Sequence, residues 1–272
     1  MCSGNLSKMA VTLSDPVQYS LRLGDELVSL NPHIGKHISL IHTGNIFCTA
    51  CGRKTKKSFG QGYCFPCTQK LAECDICIVR PEKCHYDQGT CREPEWAEKH
   101  CMQAHVVYLA NASGLKVGIT RQSQIPTRWI DQGAQQAMPI IRAATRFQVG
   151  LIEDGLKAFI ADKTDWRKML KNDTEERDLC QARDELLEQG GAVIDAVMTR
   201  FPGAIEILEN QEVVTIQYPV TEYPTKISSL NFDKTPEVGG TLQGIKGQYL
   251  IFDTGVINMR KFTGYEIGFK AG

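Results

Sequence analysis

Cys48-Thr49-Ala50-Cys51 and, twelve residues later, Cys64-Phe65-Pro66-Cys67 constrain this chain more than any other feature. Two Cys-x-x-Cys knuckles supply four thiolates, the number that closes a tetrahedral Zn²⁺ site. A thiol redox centre needs one such pair, not two matched ones. Cys48, Cys51, Cys64 and Cys67 are therefore the first predicted zinc ligands. A disulfide framework is the other reading, and it suits short secreted chains. Residues 1–16 carry no apolar signal core and no run approaches a membrane span in length, so a cytoplasmic protein with reduced thiols and no membrane partner is expected.

More cysteines follow at once. Cys74 and Cys77 form a third knuckle, then come Cys84, Cys91 and Cys101, with His85, His100 and His105 interspersed. These suffice for a second four-ligand site. Cys74, Cys77, Cys84 and Cys91 are the leading set, and sets that draw on Cys101, His85 or His105 compete with it. About two structural zinc ions are expected from this ligand supply. Cys2 and Cys180 stand apart and read as ordinary thiols.

The formal net charge is zero, with 31 basic and 31 acidic residues, which is not the mark of a strong nucleic-acid binder. The balance hides a segregation. Arg53, Lys54, Lys56 and Lys57 lie between the first two knuckles without an acidic residue, whereas residues 172–210 hold ten acids against three arginines. A basic loop fixed by metal and flanked by Phe59, Tyr63 and Phe65 can meet phosphates while a ring stacks on a base. A solvated loop tip is the plainer reading. The acidic stretch is most simply a solvated face.

The texture of the chain divides it into four. Residues 1–45 alternate apolar and polar in short runs, which predicts a small antiparallel β unit over 17–44. Residues 46–104 form the cysteine-rich zinc module, poor in apolar periodicity. Residues 105–203 read as strands at 106–110 and 115–120, a helix at 126–137, a strand at 138–147 and a helix at 151–161. Further helices are predicted near 164–171, 174–189 and 191–201, ended by Phe201-Pro202-Gly203. Residues 204–272 return to β texture, with strands at 213–218, 226–232 and within 242–269. The fold class is α+β, and the two terminal β segments are each small enough to need a partner such as the other.

The order β-β-α-β-α, with Tyr108, Lys116-Val117-Gly118-Ile119, Arg128 and Glu153, resembles a GIY-YIG nuclease domain over residues 105–165. Tyr108-Leu109-Ala110-Asn111, Lys116 to Arg121 and Trp129-Ile130-Asp131-Gln132-Gly133-Ala134 also resemble a bacterial family of unknown function, DUF2797, over nearly the whole chain. The nuclease resemblance implies that Tyr108 sits near the attacking water and that Arg128 steadies charge on the phosphate. It implies that Glu153 holds one divalent cation, Mg²⁺ or Mn²⁺, and that Gly118 lets the strand approach substrate. Lys116 stands where most members have a second tyrosine, as in the lysine-bearing branches.

The chemistry is coherent on its own terms. Phosphodiester cleavage needs an activated water, a cation on the scissile phosphate and a fixed positive charge on the developing anion. Tyr108 or Lys116, Glu153 with its cation, and Arg128 would fill those roles if they converge. Against this, a strand tyrosine usually packs, Glu153 has Lys157 one turn on, and Arg128 has Asp131. The expectation is a nucleic-acid-binding protein, of DNA or RNA, with Arg53, Lys54, Lys56, Lys57 and Arg121 as contacts. A metal-dependent endonuclease and a protein-interaction scaffold are the alternatives, and the scaffold gains if no basic surface joins the zinc loop to Arg121 and Arg128.

Overall fold

A computed structural model describes residues 2–160 and 164–272. The N-terminal segment carries β1 (Cys2–Asn5), β2 (Ala10–Thr12), β3 (Gln18–Leu23), β4 (Glu26–Ser29) and β5 (His37–Phe47). Strands β2, β3 and β4 form one small antiparallel sheet. Strand β5 does not join them. The cysteine-rich segment contributes β6 (Lys54–Thr55), α1 (Phe65–Lys70), a run of 3₁₀ turns and α2 (Pro94–His100).

The central segment holds β7 (His105–Asn111), β8 (Leu115–Arg121), α3 (Thr127–Asp131), β9 (Gln136–Ala143) and α4 (Arg146–Leu156). It continues through α5 (Trp166–Lys171), α6 (Leu179–Gln189) and α7 (Gly191–Arg200), and the C-terminal segment adds β10 (Ile205–Ile207) and β11 (Val214–Thr215) to β9. The last strands are β12 (Glu237–Lys246), β13 (Tyr249–Phe252), β14 (Gly255–Asn258) and β15 (Tyr265–Ala271). The terminal segments share one sheet, ordered β1-β15-β5-β12-β13-β14 with β6 paired to β5. Each terminal segment thus supplies the hydrogen-bond partners the other lacks. The central sheet is ordered β10-β9-β7-β8, with β11 also on β9.

The period of two along β7 decides how these bodies pack. Val107 and Leu109 face α4, α6 and α7 in one core, with Val149, Ile152 and Leu156. Tyr108 and Ala110 face the opposite way, into a core shared with Trp129, Ile130 and the terminal sheet. Among the described residues, no helix is long and apolar enough to cross a membrane.

Several elements differ from the sequence expectation. The helix predicted over 126–137 is only α3, because Gly133 leaves it at φ +72° and a Cβ there would meet the Met169 sulfur at 2.5 Å. The helix predicted from 151 begins at Arg146. Thr145 caps it, accepting from the Gln148 backbone while the Gln148 side chain accepts from the Thr145 N–H, a complete capping box. That helix ends at Leu156, so Ile152 and Leu156 are buried while Phe159 is exposed; residue 161 lies outside the described residues. Residues 226–232 form no strand beyond a single bridge between Ser229 and Val256.

Candidate metal centre and arginine cleft

The first two knuckles converge. Cys48 and Cys51 occupy the turn between β5 and β6, where Phe47 pairs with Lys54 and Ile46 with Thr55. Cys64 precedes α1 and Cys67 lies in its first turn. All four sulfurs lie within 4.8 Å of one another. The Cys51 and Cys64 sulfurs are 3.8 Å apart, far beyond a disulfide, and all eleven cysteines are free thiols. Tetrahedral coordination with Zn–S bonds of roughly 2.3 Å requires sulfurs at about this separation.

The surroundings prepare the sulfurs for a cation. Burial pushes the Cys48 thiol up, but the backbone N–H groups of Cys64, Cys51 and Ala50 outweigh it and bring it down to about 6. Neighbouring thiols, Cys64 first, push Cys67 up to about 12. Four such groups cannot all ionise side by side without a compensating positive charge. This four-cysteine cluster can hold a zinc ion. Arg53, expected to meet nucleic acid, is drawn to the Cys51 sulfur, whose hydrogen bond raises the guanidinium pKa.

The other predicted ligands sit differently. Among the described residues, Cys74, Cys77, Cys84 and Cys91 are not gathered into a comparable cluster. Burial raises the Cys74 pKa, and the charge of Glu73 raises it further. His105 is wholly buried in β7, with Nδ1 bonded to the Gln103 carbonyl at 2.7 Å.

The central segment supplies a second feature, a cleft of about 500 Å³. Tyr108, Lys116, Arg128 and Glu153 all line it, as do Gly118 and Arg121. The sequence reading made their roles conditional on convergence, and here they line one concavity. None of Arg53, Lys54, Lys56 and Lys57 lines it; the zinc module contributes Ile78, Val79, Pro81 and Gln61, the last held by Arg260 at 2.7 Å.

The floor is built around Tyr108. Its hydroxyl donates to Gln132 Oε1 at 2.8 Å, and its ring meets Trp129 edge-on. Burial raises its pKa, against the opposing pull of Arg128. Asp131, the sequence partner considered for Arg128, is instead bound by Lys8 at 2.7 Å and by Gln248 at 2.8 Å. Glu153 keeps Lys157 at 3.9 Å, a long contact for an ion pair, and its side chain is 13% exposed.

Sequence reasoning missed Lys8, Arg146 and Arg260. Arg146 opens α4, and its Nη2 donates to the Ile78 carbonyl at 2.5 Å while its Nε is buried without a partner. Arg260 stands on the 3₁₀ turn Met259–Phe262 after β14. Burial lowers both guanidinium pKa values, and the charge of Arg128 lowers them further. Four arginines and two lysines thus face two carboxylates, one of them already neutralised by Lys8. Only Arg146, beside the Thr145 cap, carried a local signal; Lys8 and Arg260 arrive from opposite ends of the sequence. Beyond the shared residues Gln61, Ile78, Val79, Arg121, Arg146 and Arg260, the concavity continues into a second hollow beside Tyr63, Arg92 and Trp96.

A family model described as "Protein of unknown function (DUF2797)" matches residues 35–267. No curated protein and no solved structure matches the chain.

Proposed function

The chain belongs to the DUF2797 family, and from its cleft we propose that it is a zinc-containing nucleic-acid-binding protein whose central β-β-α-β-α segment works as a GIY-YIG-like module. One observation carries this reading: Arg121, Arg128, Arg146 and Arg260 come from four separate elements to one cleft with Lys116. Mutual repulsion and desolvation make such a gathering costly, and a polyanion relieves both. Arginine also presents a planar fork of donors that matches phosphate oxygens. Neutral charge overall is compatible with this, since the field of a cleft is local.

A second reading, metal-dependent phosphodiester cleavage, is favoured by a specific observation: Tyr108, Lys116, Arg128 and Glu153 share that cleft. Glu153 would hold Mg²⁺ or Mn²⁺, a cation that polarises a phosphate and lowers the pKa of bound water. Arg128 would balance charge on the phosphate, and the buried Tyr108 would orient the water side of the site. The role of the four-cysteine zinc is structural, since four sulfurs leave no open position.

The test is a panel of labelled DNA and RNA, single- and double-stranded, incubated with pure protein with and without Mg²⁺ or Mn²⁺. Salt-sensitive binding without products supports the first reading, and cation-dependent products support the second. Absence of any binding at low salt would leave a protein-interaction scaffold as the better account.

A further inference from the structure

The 3₁₀ turns between Ala72 and Gln88 have almost nothing apolar to hold them. Their buried residues are Ala72 and Pro81 with the polar Asp75, while Ile76 and Val79 are exposed. Backbone turns of this kind do not persist without a staple. Four thiols line a small hollow here. Cys77, Cys84, Cys91 and Cys101 line a cavity of about 20 Å³, closed over by Trp96 and Met102. That volume takes one water-sized sphere, and therefore one ion.

We propose that Cys77, Cys84, Cys91 and Cys101 form a second structural metal centre of zinc-like character. The sulfurs are spread more widely than the 4.8 Å of the first cluster, and the ion would draw them together. Cys74 takes no part. It lines the neighbouring hollow rather than this one.

A tighter group lies alongside, formed by Asp75, Cys77 and His85. Its carboxylate is already engaged: Asp75 Oδ2 meets Arg92 Nε at 2.6 Å, and Oδ1 accepts from the Cys77 N–H at 3.2 Å. A cation there would sit against a guanidinium and still lack a fourth donor. Asp75 and Arg92 are better placed to orient Cys77 and to hold Thr68 and Leu71, whose carbonyls Arg92 also binds.

The second centre bears directly on the cleft. Ile78, Val79 and Pro81, between Cys77 and Cys84, form part of its wall. Ile78 accepts from Arg146, and the Cys101 carbonyl accepts from the Arg146 backbone N–H at 2.8 Å. Pro81 packs so closely on α4 that a Cβ at Gly150 would come within 2.5 Å of it. The metal therefore fixes one wall of the cleft and the arginine beside it.

The experiment counts zinc per chain by elemental analysis in reduced, chelator-free full-length protein. About two ions are expected in the wild type and in Cys74→Ser, and about one in Cys101→Ser and Cys91→Ser. Loss of an ion in Cys74→Ser with retention in Cys101→Ser would overturn the ligand set. Loss in His85→Ala with retention in Cys91→Ser would assign the ion to the Asp75 group instead. Stepwise Co²⁺ loading of the wild type keeps the test open if a variant does not fold. Equal sulfur-to-cobalt charge-transfer absorbance for the first and second equivalents supports four thiolates at both centres. A markedly weaker second step, or saturation at one equivalent, refutes the proposal.

Discussion

Gly118 lies directly across the β7–β8 pair from Tyr108, and a Cβ at Gly118 would come within 2.7 Å of the tyrosine hydroxyl. The tyrosine ring lies over the vacancy that glycine leaves, and its hydroxyl reaches Gln132 across it. Gly118→Ala should therefore displace Tyr108 and destabilise the protein by about 1 to 3 kcal/mol, the usual result of overpacking. Tyr108→Phe, which removes only the hydroxyl, should cost about 1 kcal/mol. Urea unfolding of the two variants checks the order, and a neutral Gly118→Ala would mean that the ring is free to move aside.

The arginine cleft sets an expectation for salt dependence. Arg121→Gln with Arg128→Gln should reduce the log–log slope of nucleic-acid affinity against salt by about 2 units. The triple change of Lys54, Lys56 and Lys57 to Gln, measured in the same way, reads how far the bound strand extends. A fall of about 2 to 3 units carries the footprint onto the zinc module, and an unchanged slope confines it to the cleft.

Cleavage, where it is detected, should depend on Glu153. Glu153→Gln keeps the shape of the side chain and removes the charge, so turnover should fall by orders of magnitude while binding persists. Arg128→Ala should lower turnover by roughly 10²- to 10³-fold through lost stabilisation of phosphate charge. Single-turnover assays separate these effects from binding, and cleavage intact in Glu153→Gln would move the cation elsewhere.

His105 gives a pH signature. Burial in β7 depresses its pKa to about 4, and its Nε2 has no partner. The unfolded chain binds this proton near pH 6.5 and the folded chain only near 4, so stability falls as pH drops through that window. The window is worth about 3 kcal/mol at most. Stability measured from pH 7 to 4.5 in wild type and His105→Gln should show the steeper acid loss in the wild type; parallel curves would mean that His105 does not contribute.

Removal of the first zinc should unfold more than a loop. Cys64→Ser, or chelation of the wild type, should free both β6 and the end of β5, because the Cys48–Cys51 turn joins them. Hydrogen exchange at Cys48 and Thr49, whose N–H groups bond the Arg53 and Gly62 carbonyls at 2.9 Å, should accelerate, and unchanged protection there would make the centre dispensable to this turn.

Local patterns carried much of this architecture. The matched cysteine knuckles and the β7–β8 hairpin were legible because each depends on neighbours in sequence, whereas Tyr108, Arg128 and Glu153 were singled out by resemblance and meet in one cleft through tertiary packing. The full cleft was not legible, because Lys8, Arg146 and Arg260 reach it only through tertiary packing. The helix expected over 126–137 failed for a local reason, since Gly133 serves a close approach to Met169 rather than a helical turn. The strand expected over 226–232 is reduced to one bridge on β14, where Leu230 and Ser228 both bond the Val256 backbone and the chain pairs no further. Cys101 was named only as a competitor for the second centre because it enters after α2, beyond the regular knuckles.

The pairing of β5 with both β12 and β15 has a consequence for synthesis. Strand β5 leaves the ribosome roughly 190 residues before its first long partner, a wait of about 10 to 40 seconds at ordinary elongation rates. Throughout that interval its two hydrogen-bonding edges face solvent and other nascent chains, an invitation to mispairing. The Cys48–Cys67 segment emerges immediately behind it, long before β12. Early capture of an ion there would pin β6 along the end of β5, so the zinc knuckle doubles as a temporary guard on an edge that the rest of the molecule covers last.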